Sequence, residues 1–580
     1  MKKIFSILGW RFDLPSATEI KAIIRRFSKK ERSFFFFFLI LFITAGTALL
    51  LQTNNIFSKE VPAQSGVWRE GVVGLPHLIN PILAVSDTDR DLVSLIYAGL
   101  LRPDGKGRLI HDLAESYAVS EDGLSYTFTL KKDLVWHDNT PITTEDIAFT
   151  AMLAKNPALK SPIRASWEGV TPVITNEREI QFLLERQYAP FLENMTLGIL
   201  PKHIWNNIPP EQISLSKFNI EPIGAGPYRL KSIERNSSGI VTKYILRSFK
   251  NFAHGEPLIS HFEFVFYPSE RALITGFESK EIDGIAGIPP KQIETIKRTG
   301  TMLYELTLPR VFAVFFNQNK LNIFSKTEIR EALERAIDKE SIVKEILNGF
   351  AEPLVGPIPP GTFSAIHSAV DESITSTSSA EHALLLFKQN GWTKDEESGL
   401  LTNKDGDVLR FTISTSNVSD LTATAELLKS MWGVIGIQVD IKLFELSDLN
   451  QNVIRPREYE ALLFGEVVGR DPDPFAFWHS SQRNDPGLNI ALYTNSVVDS
   501  LLEEARKISD EEKRKEKYIE FQKEVIADHA ATFLYSPLYL YIVDKKLKGF
   551  SAENITIPAE RYAQIYTWYL HTKKVFHSPF

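Results

Sequence analysis

The chain has 580 residues, more than a single hydrophobic core accommodates, so we expect at least two lobes or domains. Its formal net charge of −7 is small for this length, and charges of both signs are interspersed, which disfavours a nucleic acid as partner. The absence of cysteine excludes disulfides, thiolate metal sites, a cysteine nucleophile and a lipid-modified N-terminal cysteine.

An uncharged apolar run occupies residues 34–51. As a helix it would extend roughly 27 Å, against about 30 Å for the hydrocarbon core of a bilayer. The basic residues just before it favour the cytoplasmic side, and they are Arg25, Arg26, Lys29, Lys30 and Arg32. The sequence therefore predicts a cytoplasmic segment at 1–33, a transmembrane anchor at 34–51, a polar linker at 52–66 and an extracytoplasmic body.

The alternative for the apolar run is the core of a signal peptide that is cleaved after Ala63. We favour retention because the run is longer than the roughly 7–15 residues of a usual signal core. A buried helix of a soluble core would keep a polar stripe, which this run lacks. The expected location is the cytoplasmic membrane, crossed once, with the C-terminal body at the cell surface or in the periplasm.

Strand-like and helix-like segments alternate in the rest of the chain, which contains no second apolar run of membrane length. The predicted elements are strands at 179–184, 244–247 and 261–266, an amphipathic helix pair at 326–347, helical structure at 499–528, and loops at the Pro-rich 353–361 and the Ser/Thr-rich 373–379. This mixture favours an α/β architecture with more than one sheet.

Common catalytic motifs are absent from the sequence, including a Walker-type loop, a His-Glu-x-x-His helix and a Gly-x-Ser-x-Gly elbow. Asp471 and Asp473 lie two residues apart in a Pro-rich segment, where turn residues are expected rather than an acid/base pair. The triplet 137–139, His-Asp-Asn, suits a hydrogen-bonded turn better than a metal site. No cofactor and no metal are therefore predicted.

The segment 113–149 carries the densest motif of the chain. It predicts a hairpin with a Glu-Asp-Gly turn at 121–123, a strand, a turn at 137–141 and a helix capped at Thr143 or Thr144. This segment resembles the signature of family 5 solute-binding proteins, the oligopeptide, dipeptide and nickel-binding class. In that family the turn usually reads His-Asp-Gly, and here Asn139 takes the place of the glycine, as the next most tolerant residue of a positive φ.

Further matches to this family follow in order along residues 67–570. They are Asn-Pro at 80–81, Tyr-Ala-Gly-Leu at 97–100, Gly-Ala-Gly-Pro-Tyr at 224–228, Phe-Phe-Asn at 315–317, the helix segments 329–333 and 336–338, the cleft segment 471–480, and the helix 499–505. An ordered series of this length is more specific than any single motif.

The resemblance implies a two-lobed α/β fold of the class II periplasmic-binding-protein type, which closes around its solute, preceded here by one N-terminal transmembrane helix. The implied division is lobe 1 at 67–309 with an inserted subdomain at about 92–214, lobe 2 at 310–530, a return to lobe 1 at 531–570, and a tail at 571–580. Family members bind peptides through their backbone and termini and catalyse no reaction.

The cleft segment departs from the family pattern. The aspartate that anchors the amino terminus of the peptide in other members is replaced by Arg470, and the preceding aromatic residue by Glu466. Either Glu466 or Asp471 supplies the displaced carboxylate, or Arg470 binds an anionic group of the solute. The alternative is that all three are solvated loop charges.

Three further residues are candidates for the cleft. Trp478 and Tyr97 provide apolar walls or belong to the core, since aromatic side chains bury a large area. Asn317 either presents its amide at the junction of the lobes or closes a turn with the two residues that follow.

The expected function is that of a monomeric, membrane-anchored receptor of a peptide ABC importer, with permease and ATPase subunits as partners. Because one fold serves several solutes, a nickel chelate, an oligosaccharide or haem is an alternative ligand. An anchored hydrolase that uses Glu466 and Asp471 as acid and base is a further alternative, as is an envelope scaffold that has lost its ligand.

Overall fold

The structure is a computed structural model that describes residues 16–56, 58–362 and 380–576. The Ser/Thr-rich loop predicted at 373–379 lies outside the described residues. Two compact units are present, a small one formed by residues 1–63 and 571–580 and a large one formed by residues 64–570.

The helices are α1 (Ala17–Arg26), α2 (Lys29–Ile56), α3 (Asp87–Ile96), α4 (Thr144–Ala154), α5 (Lys202–Trp205), α6 (Glu270–Glu278), α7 (Pro290–Ile293), α8 (Thr327–Arg335), α9 (Lys339–Leu347), α10 (Ala380–Gln389), α11 (Ser419–Val434), α12 (Leu446–Asp448), α13 (Phe475–Trp478), α14 (Ser496–Lys507) and α15 (Glu511–Ala527). The strands are β1 (Ser58–Ala63), β2 (Val67–Val73), β3 (Leu101–Pro103), β4 (Leu109–His111), β5 (Ala114–Val119), β6 (Ser125–Leu130), β7 (Val170–Asn176), β8 (Glu179–Leu184), β9 (Tyr228–Arg235), β10 (Val241–Ser248), β11 (His261–Tyr267), β12 (Gly284–Ala286), β13 (Thr301–Thr307), β14 (Arg310–Phe316), β15 (Ala351–Pro353), β16 (Trp392–Lys394), β17 (Leu401–Asn403), β18 (Arg410–Ser416), β19 (Gln438–Phe444), β20 (Ala461–Val467), β21 (Ala531–Asp544) and β22 (His571–Phe576).

The small unit contains α1, α2 and a two-stranded antiparallel sheet of β1 and β22. α2 includes the apolar run, and its segment 29–49 is long and apolar enough to cross a membrane. In the sheet, Ser58 pairs with Phe576 and Ala63 pairs with His571. The predicted linker at 52–66 and the predicted tail at 571–580 thus contain the paired strands β1 and β22, and their roles as linker and tail remain predictions.

The large unit is built on a sheet of twelve strands, to which both halves of the sequence contribute. Its order is β19, β18, β20, β14, β21, β12, β2, β11, β10 and β9, with β13 and β15 also paired to β21. We call the part carried by β2 and β9–β13 the first lobe, and the part carried by β14 and β18–β20 the second lobe.

The chain passes between the two lobes on two strands that lie side by side. β13 leads into β14 through Leu308 and Pro309 alone, and the amide of Val468 donates to the Pro309 carbonyl at 2.9 Å. β21 pairs with β14 through residues 531–535 and with β13 through residues 538–544. The return to the first lobe was predicted at residue 531. The first residues of β21 still pair with the second lobe, so the chain returns to the first lobe within this strand.

Each lobe has its own hydrophobic core. In the second lobe, alternate residues of β14 feed a core on each face of the sheet, with Val314 on one side and Phe315 on the other. In the first lobe the main core includes Trp68 and Trp568. A separate core fills the inserted subdomain, where β5, β6, β8 and β7 form an antiparallel sheet beneath α4.

Most predicted elements coincide with observed ones. β8 has the predicted bounds, β10 and β11 contain the other two predicted strands, and α8 and α9 form the predicted helix pair. The predicted helical region at 499–528 is two helices, because the Asp510 side chain accepts from the amide of Lys513 at 3.0 Å and starts α15 anew.

The turn of the family motif has the predicted geometry. Asn139 has a φ of 70°, the left-handed conformation that a glycine would otherwise adopt. Thr143 caps α4 in a capping box with Asp146. The motif contacts the later Gly-Ala-Gly segment, since the His137 ring lies 3.1 Å from the Gly226 carbonyl and accepts from the Gly224 amide at 3.3 Å.

Candidate functional site

The end of β20 and the segment that follows it bring charged side chains close to the junction of the lobes. Glu466 is 4% exposed and Arg470 is 8% exposed, and the Asp471 side chain is largely buried as well. The reading of these three residues as solvated loop charges is therefore wrong. Charges removed from water need partners or a change of protonation, so the surroundings of each one matter.

Arg470 joins the second lobe to the first through two carboxylates. Its Nη1 donates to Glu193 Oε2 at 2.6 Å, and its Nη2 donates to Glu560 Oε1 at 2.7 Å. Glu193 lies in the short helix 189–196 of the subdomain, and Glu560 lies in the short helix 558–562 of the first lobe. A guanidinium with its planar fork suits this double contact, and the pairing holds the lobes together.

A second contact between the lobes lies three residues further on. The Tyr188 hydroxyl donates to Asp473 Oδ2 at 3.2 Å, and Asp473 is held from its own lobe by a bidentate pair with Arg506 at 2.8 Å. Asp471 pairs within the second lobe with Arg514 at 2.8 Å. The two aspartates are thus paired carboxylates and are not arranged as an acid/base couple.

The crowding of carboxylates at this contact changes their protonation. Burial raises the pKa of Glu193 to about 7, and the neighbouring charges of Glu560 and Asp471 add to this effect while Arg470 opposes it. Burial likewise raises the pKa of Asp471 to about 6, against the opposing charge of Arg514. Both groups therefore titrate closer to neutrality than ordinary carboxylates do.

Glu466 differs from these paired residues because it makes no side-chain hydrogen bond to any described residue. It lies on β20 opposite Val311 of β14, next to the two strands that connect the lobes. Within the described part of the chain neither of its carboxylate oxygens has a hydrogen-bond partner. Burial raises its pKa well above the usual range. Burial without a partner therefore favours the neutral form of Glu466, and a cation that reached it would favour the ionised form.

A cavity of about 430 Å³ lies in the first lobe beside the partners of Arg470. Its lining contains both acidic and basic side chains, among them Glu193, Glu560 and Arg102, and aromatic walls from Tyr97 and Trp167. Its size is within the usual range for small-molecule sites. The cavity and the contact at Arg470 are continuous through the two shared carboxylates.

The remaining predicted site residues have different positions. Tyr97 lines this cavity although it is nearly buried, and its hydroxyl lies 3.4 Å from the Ile79 carbonyl. Trp478 belongs to a core of the second lobe and packs against Phe533. The Asn317 side chain donates to the Arg457 carbonyl at 2.9 Å and accepts from the Asn319 amide at 3.0 Å. Trp478 is thus a core residue, and Asn317 closes a turn.

Sequence reasoning missed Glu193, Glu560 and Tyr188. Each lies in a short helix or loop far along the chain from Arg470, with no charge pattern around it. One weak signal was available, because Glu193 directly follows the apolar stretch 189–192. A carboxylate in such a setting is a candidate for a buried ion pair.

No cluster of metal-ligating side chains occurs in the described residues. His137, the strongest candidate in the sequence, is a buried histidine with both ring nitrogens bonded, and burial lowers its pKa to about 4. Because its Nδ1 accepts from an amide, the proton is on Nε2, which faces a carbonyl. This histidine fixes the motif turn against β9.

The model of the bacterial extracellular solute-binding proteins, family 5, matches residues 108–488. The chain belongs to this family. The assignment confirms the resemblance read from the motifs, and with it the expectation of a binding protein without catalytic activity. The hydrolase alternative for Glu466 and Asp471 is therefore set aside.

Curated relatives in the family support the assignment over most of the chain. The oligopeptide-binding protein AppA of Bacillus subtilis is 27% identical over 498 residues, which cover 84% of this chain and 89% of AppA. The dipeptide-binding protein of Escherichia coli is 25% identical over 507 residues, which cover 82% of this chain and 90% of that protein.

Solved structures confirm the fold. The structure of AppA from Bacillus subtilis in complex with a nonapeptide has a TM-score of 0.67 at 25% identity and covers 88% of this chain and 100% of AppA. The substrate-binding protein CtaP of Listeria monocytogenes has a TM-score of 0.74 at 23% identity and covers 87% of this chain and 99% of CtaP. The predicted two-lobed α/β solute-binding fold is thereby established for this family member.

Proposed function

We propose that this family member is a membrane-anchored extracytoplasmic receptor that binds peptides between its lobes and delivers them to the permease of an ABC importer. The names of its relatives, an oligopeptide-binding and a dipeptide-binding protein, support peptides as the solute class. The division into lobes at 67–309 and 310–530, joined by the paired strands at Pro309 and in β21, supplies a hinge for closure.

Glu466 carries the proposal. A peptide with a free amino terminus brings an ammonium group, which loses its hydration when the lobes close and then requires an anion. Glu466 is a carboxyl group without another partner among the described residues, and it lies beside the connecting strands. Proton loss from Glu466 on peptide binding would create the ion pair that the family aspartate supplies in other members. Arg470 is already paired with Glu193 and Glu560, so its proposed role is to stabilise the closed arrangement of the lobes.

Peptide binding is tested by thermal unfolding and calorimetry of the full chain with peptides that have either a free or an acetylated amino terminus. We expect the free peptides to raise the melting temperature, because a ligand bound to the folded state stabilises it. Glu466→Gln should weaken their binding roughly 10- to 100-fold, the range for losing a charge-assisted contact, while acetylated peptides bind equally to both forms.

The matched control is Glu458→Gln, because Glu458 is an exposed glutamate of the same lobe that pairs with Lys320. It should leave the affinity unchanged. Equal affinity of the Glu466 variant and the parent chain for free peptides would refute the role of Glu466. Stabilisation by an oligosaccharide, a nickel chelate or haem, without any by peptides, would refute the solute class.

Anchoring through α2 is the second part of the proposal. Cleavage after Ala63 would remove β1, the strand that pairs with β22, and would leave the edge of β22 without this partner. Retention of the N-terminal segment keeps this sheet intact. Intact mass measurement of the protein extracted from its host membrane should give the full-length chain, and a mass that begins at residue 64 would refute the anchor.

A further inference from the structure

The helix α1, which precedes the membrane-length helix, has an apolar stripe on one face. Ile20, Ile23, Ile24 and Phe27 follow the i, i+3, i+4, i+7 spacing. Ile20 is 43% exposed and Ile23 is 51% exposed. Large, exposed apolar side chains aligned on one face of a ten-residue helix indicate that this face is covered by an apolar surface outside the helix.

The charges around this stripe have one predominant sign. Between residues 19 and 32 the basic side chains are Lys21, Arg25, Arg26, Lys29, Lys30 and Arg32, and the acidic ones are Glu19 and Glu31. Glu19 is engaged in the N-terminal cap of α1, where it accepts from the Ser16 amide at 2.7 Å. Glu31 is engaged in the N-terminal cap of α2, where it accepts from the Ser28 amide at 2.8 Å. An apolar stripe bordered by cations is the pattern of helices that lie in a membrane interface.

The bend between α1 and α2 turns the stripe toward the apolar run. The ring of Phe27, at the end of the stripe, lies 5.9 Å from the ring of Phe35, which is the second residue of that run. The Arg32 side chain also donates to the Arg25 carbonyl at the end of α1, at 3.4 Å. The end of α1 is thus close to the point at which α2 would enter a bilayer. The apolar face of α1 is on the side of the apolar run of α2.

We propose that α1 lies along the cytoplasmic surface of the membrane, with its isoleucines among the acyl chains and its cations bound to the headgroups of anionic phospholipids. This inference depends on the proposed anchoring through α2. A lipid surface is favoured over a cytoplasmic protein for two reasons. Only two residues separate α1 from the membrane-length helix, and Phe27 at the end of the stripe contacts Phe35 at the start of the apolar run. The contribution of each cation near an anionic leaflet is about 1 kcal/mol.

The absence of cysteine makes a direct test feasible, because a single introduced cysteine can be labelled with an environment-sensitive fluorophore. Three variants of the full chain are needed, namely Ile23→Cys on the stripe, Ala22→Cys on the other face of α1, and Leu41→Cys within the apolar run. Each is reconstituted into vesicles of phosphatidylcholine, alone or mixed in equal parts with phosphatidylglycerol.

In the anionic vesicles we expect the Ile23 label to shift its emission to the blue and to resist an aqueous quencher, while the Ala22 label remains accessible. Replacing Arg25 and Arg26 by Gln should lower the ratio of embedded to exposed Ile23 label roughly fivefold for each arginine. In phosphatidylcholine alone the embedded fraction should be smaller.

Equal quenching of the Ile23 and Ala22 labels, with a shielded Leu41 label, would refute the inference on α1 and leave the anchor intact. An exposed Leu41 label would refute the anchor itself. Shielding of Ile23 in native membranes but not in anionic vesicles would assign the stripe to a protein partner and so would also overturn the proposal.

Discussion

Two buried arginines among the described residues, Arg561 and Arg470, are each held by two carboxylates, and their positions give them different roles. Arg561 lies in the core of the first lobe, 3% exposed, with a bidentate contact to Asp91 and with Glu70 at 3.6 Å. Arg470 joins the two lobes beside a cavity. The contacts of Arg561 stay buried whenever the lobe is folded, whereas those of Arg470 exist only while the lobes are in contact.

An arginine paired with two carboxylates can thus stabilise either the core of a lobe or a contact between lobes that can be broken and re-formed. Glu70 also accepts from Trp68 and from the Tyr541 hydroxyl, both at 2.9 Å, so the Arg561 cluster connects four elements of the first lobe, namely β2, α3, β21 and the short helix 558–562. Under the proposed closure mechanism, the partners of Arg470 lie on surfaces that would separate on opening of the lobes, and water would then replace each contact. Removing Arg561 should unfold the first lobe, whereas removing Arg470 should change how the two lobes are arranged relative to each other.

The largest effect is expected for Arg561→Met. It leaves the buried Asp91 and Glu70 without a counter-charge, which costs about 3–5 kcal/mol of unfolding free energy. Thermal unfolding of the full chain in detergent should show the loss. Arg455→Met, at an exposed arginine, is the control and should have little effect. A triple variant that adds Asp91→Asn and Glu70→Gln should recover part of the stability, and an unaltered melting temperature of the single variant would contradict the comparison.

A smaller effect on stability and a larger effect on shape are expected for Arg470→Met. Without the pairs to Glu193 and Glu560, the contact between the lobes is weakened, and the unliganded chain should populate a more open form. Small-angle scattering should record a larger radius of gyration, while the free energy of unfolding falls less than in the Arg561 variant, because Glu193 and Glu560 gain access to water when the lobes separate. Arg164→Met is the control, because the pair of Arg164 with Glu168 lies within one lobe. A melting temperature lowered as far as in the Arg561 variant would show that Arg470 is a core residue instead.

The smallest effect is a dependence of closure on pH. In the closed form, burial raises the pKa of Glu193 from 4.5 to about 7, with Arg470, Glu560 and Asp471 as its charged neighbours. The closed form thus keeps a proton on Glu193 that the open form releases. The contribution of this proton to closure is fully present below about pH 4.5 and is lost as the pH rises through 7. Scattering of the unliganded chain across this range should follow the change.

Glu193→Gln provides the control for that titration. The amide cannot lose a proton, so closure of this variant should lose most of its dependence on pH near 7 and keep only a contribution from Asp471, whose pKa is raised to about 6. An unchanged pH profile in the variant would exclude Glu193 as the titrating group.

The fold was predictable where its determinants are local. The turn at Asn139, the cap at Thr143 and the strand at β8 each depend on a few neighbouring residues, so the sequence pattern was sufficient. The pairing of β1 with β22 was not predicted, because neither strand has an apolar alternation and the two segments lie far apart in the sequence.

The candidate site was predictable only in part. Arg470 and Glu466 stood out because they replace expected residue types, and both are buried as functional charges often are. The partners of Arg470 could not be inferred, since Glu193 is 277 positions away and the contact depends on how the lobes meet. Trp478 could not be assigned to cleft or core from its type alone, because both environments suit an indole.

The pairing of β1 with β22 also links the fates of two segments that are far apart in the sequence. The six residues Ser58–Ala63 of β1 pair with His571–Phe576 of β22. A strand that loses its partner exposes unpaired backbone N–H and C=O groups, and exposed, unpaired segments are preferred sites of proteolysis. A cut that releases either segment should therefore make the other one a site of secondary cleavage, and both segments should resist proteases together while the sheet is intact.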